Sequence, residues 1–385
     1  MARFREQIEA ALRELEEAGL LRRPFRIDGP QGPEIRLDGR QVLCFCSNNY
    51  LGLADHPDLL AAAEESEGYG AGASRLITGT MTAHEEAERA LADFVSVPAA
   101  ALFANGYAAN VGTIQALVRQ GDAVFSDALN HASLIDGCRL SRASIHVYRH
   151  RDTEHLESLL RAHRSRAERA LIVTDSLFSM DGVTAPLREL ARLAQSYDTG
   201  LLVDEAHALG VFGREGSGLS AAAEIIPDVL IGTLGKAFGG AGAFVAATED
   251  TVSLVRNRAR SYVYSTAPPP SAARAALAAL SLVRRASEAR TTLLRHSSTL
   301  RTGLRDLGYE VPPGDSQILP VMIGDNDRTM RLSAGLLEQG VFVQGIRPPT
   351  VSRGTARLRL TPMATHRQEH IDRVIDAFAS LARDN

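Results

Sequence analysis

Three apolar runs, each the pattern of a buried strand, end in side chains that could do chemistry. Asp204 and His207 follow the first run, Lys236 follows the second, and Ser179 follows the third. In open α/β sheets, ligands gather at the carboxyl ends of the strands. We therefore expect an acid, a histidine, a lysine and a serine to meet at one edge of a sheet.

This set of groups matches what a pyridine-aldehyde cofactor requires. The ring nitrogen needs a buried carboxylate that keeps it protonated, and Asp204 suits that role. The aldehyde needs a lysine amine, which Lys236 can supply. The phosphate needs backbone N–H groups at a helix N-terminus, and Gly106 and Tyr107 open a helix directly after a strand.

Further side chains complete such a site. The ring oxygen of the cofactor needs a hydrogen-bond donor, which His207 or Ser179 could be, and His131 could stack over the ring. Taken alone, each residue has a structural explanation: Asp204 could cap a helix, a single histidine is commonly structural, and a lysine is usually on the surface. The joint arrangement favours a cofactor site.

Two glycine-rich stretches do not fit nucleotide-binding motifs. Gly232–Lys236 lacks the glycine spacing of a phosphate loop, and Ala237 stands where that loop requires serine or threonine. No strand leads directly into Gly68–Gly72, as a dinucleotide-binding fingerprint requires. The sequence therefore excludes both sites.

The apolar runs alternate with helical segments from about residue 85 onward, which predicts a mainly parallel seven-stranded sheet wrapped by helices. Helices are expected at 107–118, 153–166 and 187–197. The predicted strands are Ala100–Phe103, Ala123–Ser126, Ile145–Tyr148, Leu171–Thr174, Leu201–Val203, Val229–Gly232 and Ala243–Ala246.

The two ends of the chain have a different pattern. We predict an N-terminal segment over 1–52, a large cofactor-binding domain over 53–270 and a smaller α+β domain over 271–385. The N-terminal segment should hold a helix over 4–22 and a small hairpin. The C-terminal domain should open with a long helical stretch over 271–306.

Composition excludes several classes of function. The net charge of −4 gives no global basic field for nucleic acid or an anionic membrane. The first residues lack the apolar core of a signal peptide, and no 18-residue apolar run could span a membrane. Cys44, Cys46 and Cys138 have no zinc-ligand spacing, so we expect no metal, reduced thiols and a cytoplasmic protein.

Taken together, these motifs resemble the α-oxoamine synthases, which are fold-type I pyridoxal-phosphate enzymes. The resemblance extends over essentially the whole chain and rests on the order and spacing of the motifs. The matching segments are Ser47–Leu53, Asn130–Ser133, Phe178–Gly182, Asp204–His207 with Gly210, and Thr233–Lys236.

The resemblance implies a role for each matching residue. Lys236, His131, Asp204 and His207 would be catalytic, with Lys236 forming the Schiff base to the cofactor. Cofactor contacts are implied for Gly106, Tyr107, His131, Ser179, Asp204, His207, Thr233 and Lys236. Substrate contacts are implied for Arg22, Asn48, His131, Thr350 and Arg359.

Within the family, the runs Ile346–Val351 and Gly354–Leu360 most resemble the biotin-pathway member. This implies condensation of L-alanine with a pimeloyl thioester, carried by coenzyme A or an acyl-carrier protein. It also implies a homodimer with the active site at its interface. Arg359 would take the alanine carboxylate, as arginine binds carboxylates in bidentate fashion.

Some positions depart from the family pattern. Asp175 stands where relatives usually have glutamate, so no role is carried onto it. Ser74 and Arg75 lie in a variable segment, and the run Tyr264–Thr266 could reach a phosphate across a dimer interface.

Three alternatives stay open. Another family member would use glycine with an acetyl, succinyl or long-chain acyl thioester. A silent partner subunit would not need Lys236, Asp204, His207 and His131 together. A generic aminotransferase would share the lysine and aspartate but not Phe178–Gly182.

Overall fold

The structure is a computed structural model that describes residues 2–382. Helices and strands alternate along most of the chain. The helices are α1 Ala2–Glu17, α2 Pro57–Glu64, α3 Thr82–Phe94, α4 Gly106–Leu117, α5 Ala132–Ser141, α6 Thr153–His163, α7 Leu187–Ser196, α8 Leu219–Ala222, α9 Glu249–Arg258, α10 Arg260–Val263, α11 Pro270–Arg285, α12 Ser287–Asp306, α13 Asn326–Glu338 and α14 Gln368–Ala382. The strands are β1 Ile27–Asp28, β2 Glu34–Leu37, β3 Arg40–Cys44, β4 Ala99–Phe103, β5 Ala123–Asp127, β6 Ser144–Tyr148, β7 Ala170–Asp175, β8 Gly200–Asp204, β9 Val229–Thr233, β10 Ala243–Ala247, β11 Leu319–Gly324, β12 Val341–Phe342, β13 Gln344–Ile346 and β14 Ala356–Leu360.

Seven strands form one sheet in the order β4-β10-β9-β8-β7-β5-β6. β10 runs antiparallel to both of its neighbours, and the other pairings are parallel. All seven strands predicted from the apolar runs are present, so the predicted mainly parallel sheet is confirmed. The antiparallel β10 is the one departure from a purely parallel arrangement.

Alternate residues of the central strands pack into two separate cores, one on each face of the sheet. Val173 and Leu202 lie in the cluster that contains side chains of α4, α5 and α9. Their neighbours Ile172 and Val203 lie in the cluster that contains side chains of α6 and α7. The strands are continuously apolar because both faces are covered by helices.

Side-chain caps fix where several of the helices that follow strands of this sheet begin. Asn105 accepts a hydrogen bond from Ala108 N and so starts α4 directly after β4. Asp152 caps α6 in the same way through His155 N. Such caps satisfy one of the four N–H groups that have no partner inside a helix.

Two smaller sheets are built from the ends of the chain. One has the order β1-β2-β3-β12, and the other has the order β11-β14-β13. The predicted hairpin between β2 and β3 is present, with Leu37 opposite Arg40. Leu43 pairs in parallel with Val341, so the N-terminal hairpin and a C-terminal strand share one sheet.

The chain divides into two compact units by internal contacts. Among the described residues, the first unit holds those up to Ser47, then Met180–Gly182, then those from Thr292 onward. The second unit holds Asn48–Ser179 and Val183–Thr291, and with them the seven-stranded sheet. The sequence placed its boundaries after residues 52 and 270 instead, because Pro268–Pro270 interrupts the pattern there.

Two predicted helices differ in length from the structure. The helical stretch 271–306 is two helices, α11 and α12, separated at Ala286, whose φ and ψ of −80° and 32° are not helical. The N-terminal helix ends at Glu17 rather than near residue 22, with Gly19 at a φ of 64° shortly after it. No helix within residues 2–382 is long and apolar enough to cross a membrane.

Candidate active site

The predicted edge of the sheet exists, and it brings the polar strand ends together. β7, β8 and β9 are adjacent and parallel, so their carboxyl ends lie side by side. Asp175 pairs in register with Asp204, and Asp204 pairs with Ile231. Lys236 follows the end of β9 by three residues.

Glycines allow the loops at this edge to pack closely. Gly210 has a φ of 84°, and a Cβ atom there would lie 2.6 Å from the Cβ of Ala237. Gly239 has a φ of 67°, and a Cβ there would lie 2.4 Å from the backbone of Leu53. Only glycine adopts such conformations without strain, so these positions hold the loop of Lys236 against its neighbours.

A chain of hydrogen bonds leads to the lysine amine. Lys236 Nζ lies 2.9 Å from His207 Nε2, and His207 Nδ1 lies 2.7 Å from the Tyr50 hydroxyl. The Tyr50 hydroxyl also lies 3.1 Å from Asn48 Oδ1. Tyr50 is fully buried, so the chain is anchored by a rigid side chain. The structure thus brings together Asn48, His207 and Lys236, all of which the sequence singled out.

The Asp204 carboxylate is buried and held by two donors. Its Oδ1 accepts a hydrogen bond from Ala206 N at 2.8 Å, and its Oδ2 accepts one from Asn110 Nδ2 at 2.7 Å. Each carboxylate oxygen can accept a further hydrogen bond. Asp204 can therefore also face a protonated ring nitrogen.

His131 lies at the start of α5 and is exposed on one side. Its Nδ1 lies 2.7 Å from the Ser133 hydroxyl and accepts a hydrogen bond from Ser133 N at 3.2 Å. Its backbone N–H donates to Asp175 Oδ2 at 2.7 Å. Partial burial lowers the pKa of His131, although the charge of Asp204 opposes this shift. The imidazole is therefore neutral at physiological pH.

Asp175 is a second carboxyl group beside Asp204. It is buried, and its backbone N–H donates to Asn130 Oδ1 at 3.1 Å. Burial raises the pKa of Asp175 well above its ordinary value, and the charge of Asp204 raises it further. Two adjacent buried carboxyl groups do not both ionise easily, so the raised pKa favours the protonated form of Asp175.

The N-terminus of α4 is suited to an anion. Gly106 and Tyr107 occupy its first two positions, where backbone N–H groups have no acceptor within the helix. A Cβ atom added at Gly106 would meet nothing within 4 Å, so the approach is open. The Tyr107 hydroxyl donates to Asp136 at 2.6 Å, which fixes the ring at the helix start and raises its pKa.

Ser179 and Thr233 lie at the ends of β7 and β9. Thr233 Oγ1 donates to Gly242 O at 3.2 Å and accepts from Gly235 N at 3.3 Å, so it supports the turn before the lysine. Ser179 is half-buried and follows the bridge between Leu177 and Thr184.

The remaining predicted substrate residues belong to the first unit. Arg22 Nη2 donates to Thr350 Oγ1 at 3.3 Å, so this predicted pair is brought together. Arg359 is buried on β14. The hydrogen bond with Cys44 and burial raise the pKa of Cys46 well above its ordinary value, and the charge of Arg359 opposes this shift. Near Arg22 and Thr350, the Arg347 guanidinium donates to Leu21 O at 3.2 Å.

Arg75 has a structural role. Its guanidinium is buried and donates to Glu88 Oε1 at 2.8 Å, while Arg256 donates to Glu88 Oε2 at 2.8 Å. Ser74 forms a backbone bridge with Thr266. Within residues 2–382, no cluster of histidine, cysteine or acidic side chains could hold a metal ion.

Sequence reasoning missed the groups that orient the predicted residues. Tyr50, Asn110 and Ser133 each touch a predicted site residue, and none was assigned a role. Tyr50 and Ser133 do lie within the motifs Ser47–Leu53 and Asn130–Ser133, which is a signal. Asn110 lies four residues after Gly106, one helical turn along the same face.

Comparison with known proteins gives consistent results. The family model described as aminotransferase class I and II matches residues 40–378. An 8-amino-7-oxononanoate synthase of Geobacter sulfurreducens is 47% identical over 384 residues, which is 98% of each chain. The enzyme of that name from Nitrosococcus oceani is 45% identical over 96% of this chain and 99% of that protein.

Solved structures show the same fold. A serine palmitoyltransferase variant from S. paucimobilis, bound to a pyridoxal-phosphate myriocin adduct, has a TM-score of 0.93 and 31% identity. The similarity covers 98% of this chain and 97% of that one. An 8-amino-7-oxononanoate synthase structure from Francisella tularensis has a TM-score of 0.75 and 26% identity, covering 89% of this chain and 98% of that one.

Proposed function

The chain belongs to the class I and II aminotransferase family and, within it, to the 8-amino-7-oxononanoate synthases, and from this membership we propose its reaction. It joins L-alanine to a pimeloyl thioester and releases CO₂ and the free thiol carrier. The product is 8-amino-7-oxononanoate, a precursor of biotin. The enzyme is thus a C-acyltransferase that uses pyridoxal 5′-phosphate.

One observation carries this proposal most strongly. Lys236 is the only lysine among the 385 residues, and it lies at the sheet edge that also holds Asp204 and His207. A chain that uses arginine everywhere else has kept a lysine where an aldehyde must be bound covalently. Arginine cannot replace it there, since its guanidinium is always protonated.

The residues present fit the cofactor. Asp204 would face the ring nitrogen, since its buried oxygens retain acceptor capacity beyond their two present donors. The open N-terminus of α4 at Gly106 and Tyr107 would receive the phosphate. When bound, pyridoxal phosphate supplies the electron sink for a carbanion at the α-carbon of the amino acid.

Side chains of the cofactor pocket would add specific contacts. His207 would reach the ring hydroxyl, and His131 would stack on the ring face. Ser179 and Thr233 would contact the cofactor from the ends of β7 and β9. β7 and β9 lie on either side of β8, the strand that ends at Asp204, and this supports these roles.

Lys236 would also move a proton. Its Nζ would take the α-proton of alanine and later return a proton to the product. His207, at 2.9 Å from Nζ, holds the amine in place between these steps. His131 would then polarise the new ketone oxygen after acyl transfer.

Substrate contacts are also proposed. Arg359 would receive the carboxylate of the amino acid, and Asn48 would contribute a substrate contact of its own. Arg22 and Thr350, which lie 3.3 Å apart, would contact the acyl group. The carrier is coenzyme A or an acyl-carrier protein, and kinetics with each thioester would identify it.

We also propose a cytoplasmic homodimer with the active site at its interface. The free thiols of Cys44, Cys46 and Cys138 are consistent with a reducing compartment. Tyr264 and Ile77 expose 73% and 75% of their surface, and we propose that the dimer interface covers them. Sedimentation of the wild type against an Ile77→Asp variant would test the dimer.

The single lysine makes the central test simple. Borohydride reduction of the holoenzyme should fix one pyridoxyl group per chain, and peptide mapping should find it on Lys236. Lys236→Arg keeps the charge and should carry no label. A label retained in that variant would refute the assignment of the lysine.

Substrate identity is tested by steady-state kinetics. Alanine, glycine and serine should each be crossed with pimeloyl, acetyl, succinyl and palmitoyl thioesters. We expect alanine with pimeloyl thioester to give the highest kcat/KM. A higher value for serine with the palmitoyl thioester would favour the activity named for the S. paucimobilis enzyme, whose structure is also similar.

A further inference from the structure

A second hydrogen-bond chain runs from Asp204 to His131, and its direction is fixed by chemistry. An ionised carboxylate only accepts hydrogen bonds, so the Asn110 amide must present Nδ2 to Asp204 Oδ2, 2.7 Å away. The alternative orientation would set the amide oxygen against the carboxylate. The orientation of Asn110 is therefore known without seeing its hydrogens.

The second N–H of Asn110 fixes the next link. Asn110 Nδ2 lies 2.9 Å from the Ser133 hydroxyl oxygen, which must accept this hydrogen bond. Asn110 Oδ1 is buried and has no hydrogen-bond partner within residues 2–382. The side chain thus leaves its oxygen unsatisfied while both of its N–H groups are used, so the amide serves here as a donor.

The Ser133 hydroxyl proton then has one destination. Ser133 is fully buried, and within the described chain its hydroxyl contacts only Asn110 and His131. Since the oxygen accepts from Asn110, its proton is donated to His131 Nδ1 at 2.7 Å. The backbone N–H of Ser133 points at the same nitrogen from 3.2 Å. His131 Nδ1 is therefore an acceptor and carries no proton.

We propose that Asn110 and Ser133 are positioning residues that hold His131 as the neutral tautomer with its proton on Nε2. This deepens the proposed function and rests on it for the substrate. His131 then acts on the new ketone oxygen as a hydrogen-bond donor and not as a base. The chain Asp204, Asn110, Ser133, His131 links the carboxylate that faces the cofactor to the histidine that faces the substrate.

The surroundings of His131 agree with a neutral ring. Burial lowers the pKa of His131, and the positive charge of Lys236 lowers it further, while Asp204 and Asp136 raise it. Asp175 accepts from the backbone N–H of His131, not from its ring. A charged imidazolium would need Nδ1 to donate, which would leave the Ser133 proton without an acceptor.

Nitrogen NMR of histidine-labelled holoenzyme tests the tautomer directly. The His131 signals are assigned by their loss in a His131→Gln variant. We expect Nδ1 to resonate as an unprotonated nitrogen and Nε2 as a protonated one across neutral pH, without any substrate present. A protonated Nδ1 in the wild type would overturn the proposal.

Asn110→Asp inverts the chain at constant shape. Beside the Asp204 carboxylate, the new carboxyl group keeps one proton and donates it to Asp204, while its oxygen accepts the Ser133 proton. His131 Nδ1 must then donate to Ser133, and the NMR signature should reverse. Ser133→Ala instead removes the link, and Ser133→Thr restores a hydroxyl. Ser141→Ala is the matched control, because Ser141 is a buried serine of the same helix that bonds only to the backbone of Cys138 and Ala143.

Kinetics separate this role from simple structural support. Ser133→Ala should lower kcat by about tenfold with little change in KM for alanine, which is less than the roughly 10²- to 10⁴-fold that a proton donor contributes, because His131 is misoriented and not removed. Ser133→Thr should recover most of kcat, and Ser141→Ala should match the wild type. An unchanged NMR signature in both Asn110→Asp and Ser133→Ala refutes the positioning role. Failure of wild-type turnover with the expected substrates would refute the proposed function while leaving the tautomer measurement valid.

Discussion

Asp175→Asn should be nearly silent in catalysis and should change how stability depends on pH. Burial first, and the charge of Asp204 second, raise the pKa of Asp175 well above its ordinary value. The raised pKa favours the protonated form of the native carboxyl group, and asparagine has the same shape as a protonated acid. Its Oδ1 can still accept from His131 N, which now donates to Asp175 at 2.7 Å.

The sign and size of the pH effect follow from linkage. Below the unfolded pKa of about 3.9, Asp175 is protonated in both states and contributes no pH dependence. As the pH rises above that value, the unfolded chain releases the proton while the native protein keeps it. Wild-type stability therefore falls by about 1.4 kcal/mol per pH unit until the pH reaches the raised native pKa. The asparagine variant lacks this loss, so its stability relative to wild type increases with pH over that window.

Urea unfolding of both holoenzymes between pH 5 and 8 measures this difference. We expect Asp175→Asn to keep kcat within about threefold, which is under 1 kcal/mol in the barrier. Asp204→Asn is the matched control at the adjacent strand end, and it should lose activity because it removes the charge that we propose faces the cofactor. A stability difference that does not vary with pH would refute the protonated state of Asp175.

Three other substitutions test separate parts of the structure. Tyr50→Phe removes a buried hydroxyl from the hydrogen-bond chain that ends at Lys236. The loss of one hydrogen bond worth about 1.4 kcal/mol should lower kcat by about tenfold, which steady-state kinetics would measure. Glu88→Gln leaves the buried Arg75 guanidinium without its charge partner. The free energy of unfolding should fall by about 3–5 kcal/mol, and a loss below about 1 kcal/mol would contradict a buried ion pair. Arg22→Ala should raise KM for the pimeloyl thioester without changing KM for alanine, and equal changes in both would argue against its contact with the acyl group.

The sheet could be predicted from the sequence because both of its faces are buried. Residues such as Ile172 and Val173 lie in different cores, so the strands have no polar face and appear as uninterrupted apolar runs. The antiparallel direction of β10 has no such local signature. The break between α11 and α12 was also missed, because it lies at Ala286 and neither glycine nor proline marks it in the sequence.

The site could be predicted as a set of residue types but not as a network. Asp204 and Lys236 follow apolar runs, so the sequence pattern predicts their position at the strand ends. Tyr50 contacts a histidine 157 positions away, and Asn110 contacts a carboxylate 94 positions away, so no spacing in the sequence relates them. A count of residue types gives one more signal, because Lys236 is the single lysine in the sequence.

The two hydrogen-bond chains of the second unit differ in whether they can reverse. In the chain through Tyr50 and His207, the hydroxyl and the imidazole can each donate or accept a hydrogen bond. The directions of these hydrogen bonds can therefore reverse when Lys236 Nζ gains or loses a proton, without movement of a heavy atom. In the chain from Asp204 to His131, the carboxylate can only accept and the Asn110 amide nitrogen can only donate, so the direction is locked. Lys236, whose proposed role is to give up and regain a proton, thus has a reversible partner. His131, which we propose keeps its proton on Nε2, has a partner whose direction is fixed. The same pocket can therefore move one proton while holding another in place.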